Sequence, residues 1–71
     1  KETYNVAVVG ATGAVGGEMV RVLEERKFPV AELALFASEK SFGKKIRFCG
    51  RGISISQIND DSFKNVDIVL F

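Results

Sequence analysis

Histidine is absent from these 71 residues, and cysteine and proline occur once each. A single cysteine, Cys49, excludes an internal disulfide and gives no sign of an oxidising compartment. Without histidine, and with no thiols or carboxylates at metal-ligand spacing, no metal centre is expected. No apolar run approaches the roughly 18 residues of a membrane span, and no charged-then-apolar leader opens the chain. Nucleic-acid recognition has nothing to carry it, because no motif is present and no aromatics interleave with the basic residues. Repeats and low-complexity segments are missing too. The expected location is cytoplasmic, and neither membrane nor nucleic acid is an expected partner.

Length and charge add two limits. Seventy-one residues make at most one small domain, whose core is marginal by itself. Ten basic and nine acidic residues give a net charge of +1, but the charges are unevenly spread. Lys40, Lys44, Lys45, Arg47 and Arg51 fall in a stretch with no acid between them. Such a cluster is either the solvated face of a hairpin or a surface that meets phosphate.

What is present centres on Gly10-Ala11-Thr12-Gly13-Ala14-Val15-Gly16. The consecutive apolar residues Val6 to Val9 lead into it, as in a parallel strand covered on both faces. A helical pattern from Gly17 to Arg26 leads out. A strand, a glycine turn and a helix start form a device for holding a diphosphate. One glycine allows the tight turn, one lets the backbone approach the ligand, and one lets helix and strand pack closely. The helix start offers unpaired N–H groups and a partial positive charge to an anion. The spacing here is G-x-x-G-x-x-G, whereas the commoner fingerprint has its first two glycines two apart. Thr12 has two readings: a donor to a phosphate oxygen, or a local cap.

The remaining elements follow in order. Tyr4 to Val9 is expected as the first strand. Val15, Met19, Val22 and Leu23 mark the buried face of the helix, with Arg26 and Lys27 favourable at its C-terminal end. Pro29 forbids continuation. Leu33 to Ala37 is the second strand, which makes a right-handed βαβ unit with parallel strands. Residues 45–48 and 53–56 alternate apolar and polar around Cys49-Gly50-Arg51-Gly52, which reads as an antiparallel hairpin. Cys49 at its tip has no helix N-terminus or shaped cationic pocket to activate it, so it is expected to be inert. Asn59 to Ser62 offers caps for one helical turn with Phe63 packing inward, ended by Asn65. Val66 to Phe71 is the last strand. The fold class is therefore α/β: a Rossmann-like parallel sheet, partial, with an antiparallel hairpin insertion. A complete domain of this kind is about twice as long. Residues 1–71 are accordingly expected to be the N-terminal part of a dinucleotide-binding domain in a longer protein.

The end of the second strand usually chooses the cofactor. An acid there accepts from the ribose 2′-OH and selects NAD, whereas a cation with small donors accommodates a 2′-phosphate and selects NADP. Ser38 and Lys40 match a phosphate site, and Glu39 would repel the phosphate if it pointed inward. The expectation is NADP, with Glu39 turned to solvent.

Residues 4–16, Leu23 to Arg26, Phe36-Ala37-Ser38 with Lys40-Ser41 and Gly43-Lys44, and Val66 to Phe71 resemble the N-terminal part of bacterial aspartate-β-semialdehyde dehydrogenases. The resemblance covers essentially the whole chain, hairpin included. The glycine turn alone would be shared with extended short-chain dehydrogenases, and the Ala-Ser-x-basic-Ser-x-Gly stretch is what narrows it. This chain has Lys40 where the family usually has arginine, and Glu39 and Phe42 where it usually has small residues. Lysine keeps the charge and lacks the planar fork.

The resemblance implies an NADP-dependent homodimeric enzyme that reduces aspartyl phosphate to aspartate semialdehyde and releases phosphate. A cysteine nucleophile and a histidine would do the chemistry, and both lie beyond Phe71 in the family, so no catalytic residue is expected in this chain. It further implies that Gly10, Thr12, Gly13, Ala14 and Val15 surround the diphosphate, that Ser38, Lys40 and Ser41 lie near the 2′-phosphate, and that Gly16 is the packing glycine. Two alternatives stay open. One is N-acetyl-γ-glutamyl-phosphate reductase, whose turn tends to carry a serine and an aromatic in place of Thr12 and Ala14. The other is a non-catalytic NADP-binding sensor of the extended short-chain dehydrogenase fold.

Overall fold

The computed structural model describes residues 2–71. Strand β1 (Tyr4–Val9) enters the glycine turn and α1 (Ala14–Glu25) leaves it. Strand β2 (Val30–Phe36) follows, then a 3₁₀ turn (Glu39–Ser41), β3 (Lys45–Phe48), β4 (Arg51–Ser56) and β5 (Ile68–Leu70). The five strands make one sheet in the order β3-β4-β2-β1-β5. All neighbours are parallel except β3 and β4.

The hairpin is built into the sheet rather than set beside it. Its second strand, β4, runs parallel to β2 through Leu35↔Ile55 and Phe36↔Ser56. Phe48 pairs with Arg51, so the loop is Cys49-Gly50 alone, shorter than the four residues that the sequence suggests. Both loop residues have positive φ, 51° and 82°, the geometry of a two-residue type I′ turn. The chain then crosses from β4 to the other side of β1. That reversal puts a switch point at the carboxyl end of β1, where ligands settle in open α/β sheets.

Alternation sorts the sheet into two faces. Val6, Val8, Leu35 and Ile55 point to one face, where Val20 and Leu23 of α1 and Phe48 of β3 complete the core. The α1 face differs from the sequence expectation. Gly16, Val20 and Leu23 are its buried residues, while Met19 and Val22 are half-buried and Val15 is 66% exposed. Gly16 sets that rotation. A Cβ there would stand 2.0 Å from the Gly10 carbonyl oxygen, so α1 lies directly on the end of β1 along its glycine side. One residue is about 100° of helix, enough to carry the Val15, Met19 and Val22 stripe off the sheet. On the other face, Phe36 meets Phe63 edge-on at 5.6 Å.

The helix also stops one turn before Pro29 demands it. Lys27 takes the left-handed conformation at φ 52°. Its N–H donates to the Glu24 carbonyl, and the Phe28 N–H donates back to Leu23 at 3.0 Å. This six-to-one and five-to-two pair is a Schellman ending, with lysine where glycine is usual. Because α1 closes at Glu25, Arg26 and Lys27 lie past its last turn.

Other boundaries move as well, and of the strand expected from Val66 to Phe71 only Ile68–Leu70 pairs, as β5. Strand β2 starts earlier than the apolar run, because its first residues still pair with Tyr4 and Asn5. The segment after Asn59 forms successive turns and no helix. Ser62, Lys64 and Val66 each donate to the carbonyl three residues back, and the Asn59 side chain accepts from the Asp61 N–H at 2.9 Å. Phe63 remains 38% exposed on top of Phe36. Asp67 then clasps β5 to β1: its carboxylate accepts from the Asn5 N–H, and its own N–H donates back to Asn5, both at 2.8 Å.

Candidate functional site

The glycine turn is held by β2. The Phe36 carbonyl accepts from both the Gly10 and Ala11 N–H groups, at 2.8 and 3.0 Å. Gly10 has φ 77°, a conformation that lets the chain reverse straight out of a buried strand. Ala11 is buried beneath the turn, while Gly10, Thr12, Gly13, Ala14 and Val15 form its exposed crest. Gly13 is the N-cap of α1 and donates to the Gly10 carbonyl at 3.0 Å.

That N-terminus is open in chemical terms. Gly13 brings no side chain, no side-chain cap bond is made, and the first turn contains no acid. The local-cap reading of Thr12 is thus not what the structure adopts. The leading N–H groups of a helix lack intrahelical acceptors, and the helix dipole places partial positive charge beside them. An anion with several acceptor oxygens is the ligand that this end can take. The first acid along α1, Glu18, is itself engaged by Arg21, which hydrogen-bonds it and also pairs with Glu25. The Arg21 hydrogen bond holds the Glu18 carboxyl below the usual carboxylate range and raises Arg21 in turn.

The second group of candidate residues leaves β2 on the same side. Ser38 is extended (φ −67°, ψ 159°) and opens the 3₁₀ turn. The Ser41 N–H donates to the Ser38 carbonyl at 2.9 Å, and Phe42 to Glu39 at 3.2 Å. Ser38, Glu39 and Lys40 are exposed, whereas Ser41 is buried. Because Phe36 is tied to Gly10 and Ala11, this turn emerges next to the glycine crest. The two groups that the sequence singled out are therefore neighbours.

Other features fall outside this region. Cys49 is exposed at the hairpin tip, and its N–H is taken by the Glu24 carboxylate of α1. That brace between helix and hairpin carries no sequence signal, since it needs the two elements already in place. An open apolar groove of about 520 Å³ runs beside α1, lined by Val15, Met19, Val22 and Leu70 among others. Among the described residues no cluster of histidine, cysteine or carboxylates could hold a metal, and no helix is long and apolar enough to cross a membrane.

Comparison with known proteins gives the arrangement its context. An aspartate-semialdehyde dehydrogenase of Aquifex aeolicus is 54% identical over 96% of this chain and 20% of that protein. A crystal structure of aspartate semialdehyde dehydrogenase II from Vibrio cholerae superposes with a TM-score of 0.91 at 49% identity, covering 97% of this chain and 22% of that one. A probable aspartate-semialdehyde dehydrogenase from Pseudomonas aeruginosa gives 0.86 at 39% identity, over 94% and 20%. The chain thus spans about a fifth of the length of the relatives it matches. The family model described as the NAD-binding domain of semialdehyde dehydrogenase matches residues 5–71. The chain belongs to the semialdehyde dehydrogenase family, and it corresponds to the cofactor-binding part of those enzymes.

Proposed function

We propose that this chain is the diphosphate-holding part of the NADP-binding domain of an aspartate-semialdehyde dehydrogenase. The whole protein would reduce aspartyl phosphate to aspartate semialdehyde with release of phosphate, a step in lysine, threonine and methionine biosynthesis. NADPH supplies the hydride when bound. The open, acid-free N-terminus of α1 above the glycine turn carries this reading, because it suits an anion such as a diphosphate and follows the strand and glycine turn of a dinucleotide site. Backbone N–H groups around Thr12, Gly13, Ala14 and Val15 would face the diphosphate, with the Thr12 hydroxyl as a further donor. Ser38, Lys40 and Ser41 would take the 2′-phosphate, with Glu39 turned outward. The nucleophile and the acid–base group would come from outside this chain. We place the whole protein in the cytoplasm as a homodimer.

The test is an assay of the full-length protein for phosphate-dependent reduction of NADP by aspartate semialdehyde. Turnover is expected, and its absence in a folded, NADP-binding protein would remove the reading. NADPH is expected to bind more tightly than NADH. Lys40→Ala should weaken NADPH by about tenfold, the worth of one charge-assisted contact. An unchanged dissociation constant would show that Lys40 does not meet the phosphate.

A further inference from the structure

The hairpin is a lever with one end in the candidate site. At its root, Ile55 of β4 accepts from the Gly43 N–H at 3.3 Å and donates to the Lys44 carbonyl at 2.8 Å. The Lys44 N–H in turn donates to the Ser41 carbonyl at 3.1 Å, so a tilt of β4 is passed to the 38–41 turn. Strand β4 is joined to β2 through Leu35↔Ile55 and Phe36↔Ser56, both at that root. From Ile55 to Cys49 the strand extends away as an arm of about 20 Å. Phe48 near the tip joins the core with Val20 and Leu23 of α1, but apolar burial has no preferred direction. The directional contact is made by Glu24. Among the acids of α1, Glu18 and Glu25 pair with Arg21, whereas Glu24 serves the hairpin. Cys49 lies past the last ladder pair, and its N–H donates to the Glu24 carboxylate at 2.5 Å. The same helix is seated on β1 at Gly16 and presents its N-terminus at the glycine crest. One bond thus ties the far end of the hairpin to the helix that carries the other half of the candidate site.

We propose that Glu24 is a positioning residue for the nicotinamide dinucleotide. It touches no part of the ligand, since it stands about 15 Å along the helix from Ala14. By pinning the hairpin tip to α1, it fixes where the 38–41 turn stands relative to the glycine crest. A ligand that spans both then meets two preset halves, and the ordering cost of binding falls. The proposal rests on the reading that a nicotinamide dinucleotide spans the crest and that turn.

Full-length wild type, Glu24→Ala, Glu24→Asp and Glu24→Gln test it, compared well below their thermal midpoints. The readouts are steady-state kinetics of phosphate-dependent NADP reduction and fluorescence titration with NADPH. Glu24→Ala should raise KM for NADP and Kd for NADPH by about fivefold, the scale of one exposed hydrogen bond, with kcat unchanged. Glu24→Gln should restore most of the affinity, because its amide oxygen still accepts from the Cys49 N–H. Glu24→Asp keeps the acceptor on a shorter arm and should lose an intermediate amount, and it carries the test where Glu24→Ala does not fold. Inhibition by adenosine 2′-monophosphate, which reaches only the 38–41 turn, should stay the same across the series. A Kd for NADPH within about 1.5-fold of wild type in the Ala and Asp variants overturns the proposal. An equal loss in Glu24→Gln and Glu24→Ala overturns it too, as does a loss of monophosphate inhibition as large as the loss of NADPH affinity, which would mean that the turn itself is deformed. A wild type that binds NADPH without turnover removes the proposed activity, and its titration series still decides the role of Glu24. A folded wild type that binds no NADPH overturns both.

Discussion

At Gly16 the atoms nearest an added methyl group are all backbone of Gly10 and Ala11. Its Cβ would lie 2.0 Å from the Gly10 carbonyl oxygen, 2.6 Å from the carbonyl carbon and 2.9 Å from the Ala11 Cα. No flexible side chain is there to give way, so Gly16→Ala must lift α1 from β1 and spoil the turn. A loss of about 3 kcal/mol is expected, read as a lower urea midpoint. A change below about 0.5 kcal/mol would show that helix and strand separate freely. Lys27 offers the opposite case. A lysine held in the left-handed region costs about 1 kcal/mol relative to glycine. Lys27→Gly should therefore raise stability by somewhat less than that, because a favourable charge at the helix end is lost. The two residues differ in how well the sequence announces them. Gly16 is legible from its place in the glycine spacing. Lys27 is not, because nothing in a lysine signals positive φ, and only the closing hydrogen bonds demand it.

At the scale of the element, α1 has two jobs, packing and presenting its N-terminus. The apolar stripe Val15, Met19, Val22 and Leu23 is a sound reading of helical periodicity, yet only Leu23 of the four is buried. Gly16 contributes nothing to a hydrophobic pattern, and its contact with Gly10 decides the rotation. The N-terminus is more legible, since the absence of a capping side chain and of an early acid can be read directly. An acid at that end separates stability from binding. Ala14→Asp should leave stability unchanged or raise it by about 0.5 kcal/mol through the helix dipole. It should weaken NADPH on the order of tenfold by repelling the diphosphate. Thermal unfolding and nucleotide titration of the same variant check both signs. Unaltered affinity would mean that the anion does not lie at this helix end.

At the scale of the whole molecule, the two edges of the sheet are unlike. Edge strand β3 carries Lys45 and Arg47, charges that discourage pairing. Edge strand β5 is Ile68-Val69-Leu70, with Leu70 also lining the apolar groove and Phe71 81% exposed. The 71-residue chain by itself should therefore self-associate, and Val69→Lys should reduce that association. Sedimentation velocity would show it, and a strictly monomeric wild-type chain would contradict it. The βαβ unit, the hairpin and the last strand are all legible, because each has its own period and its own turn residues. That β4 joins β2 is not, because two residue pairs carry the contact and neither strand alone announces it. The candidate site is legible as two separate stretches, and it becomes one place only through the Phe36 carbonyl.

In the proposed complex the crest from Gly10 to Val15 holds a diphosphate while the 38–41 turn meets the adenosine ribose. A crystal structure of the full-length protein with NADPH tests it most directly. Diphosphate oxygens are expected within about 3 Å of backbone N–H groups between Thr12 and Val15, with the 2′-phosphate beside Ser38 and Lys40. A diphosphate seated elsewhere, with the N-terminus of α1 facing only water, would contradict it.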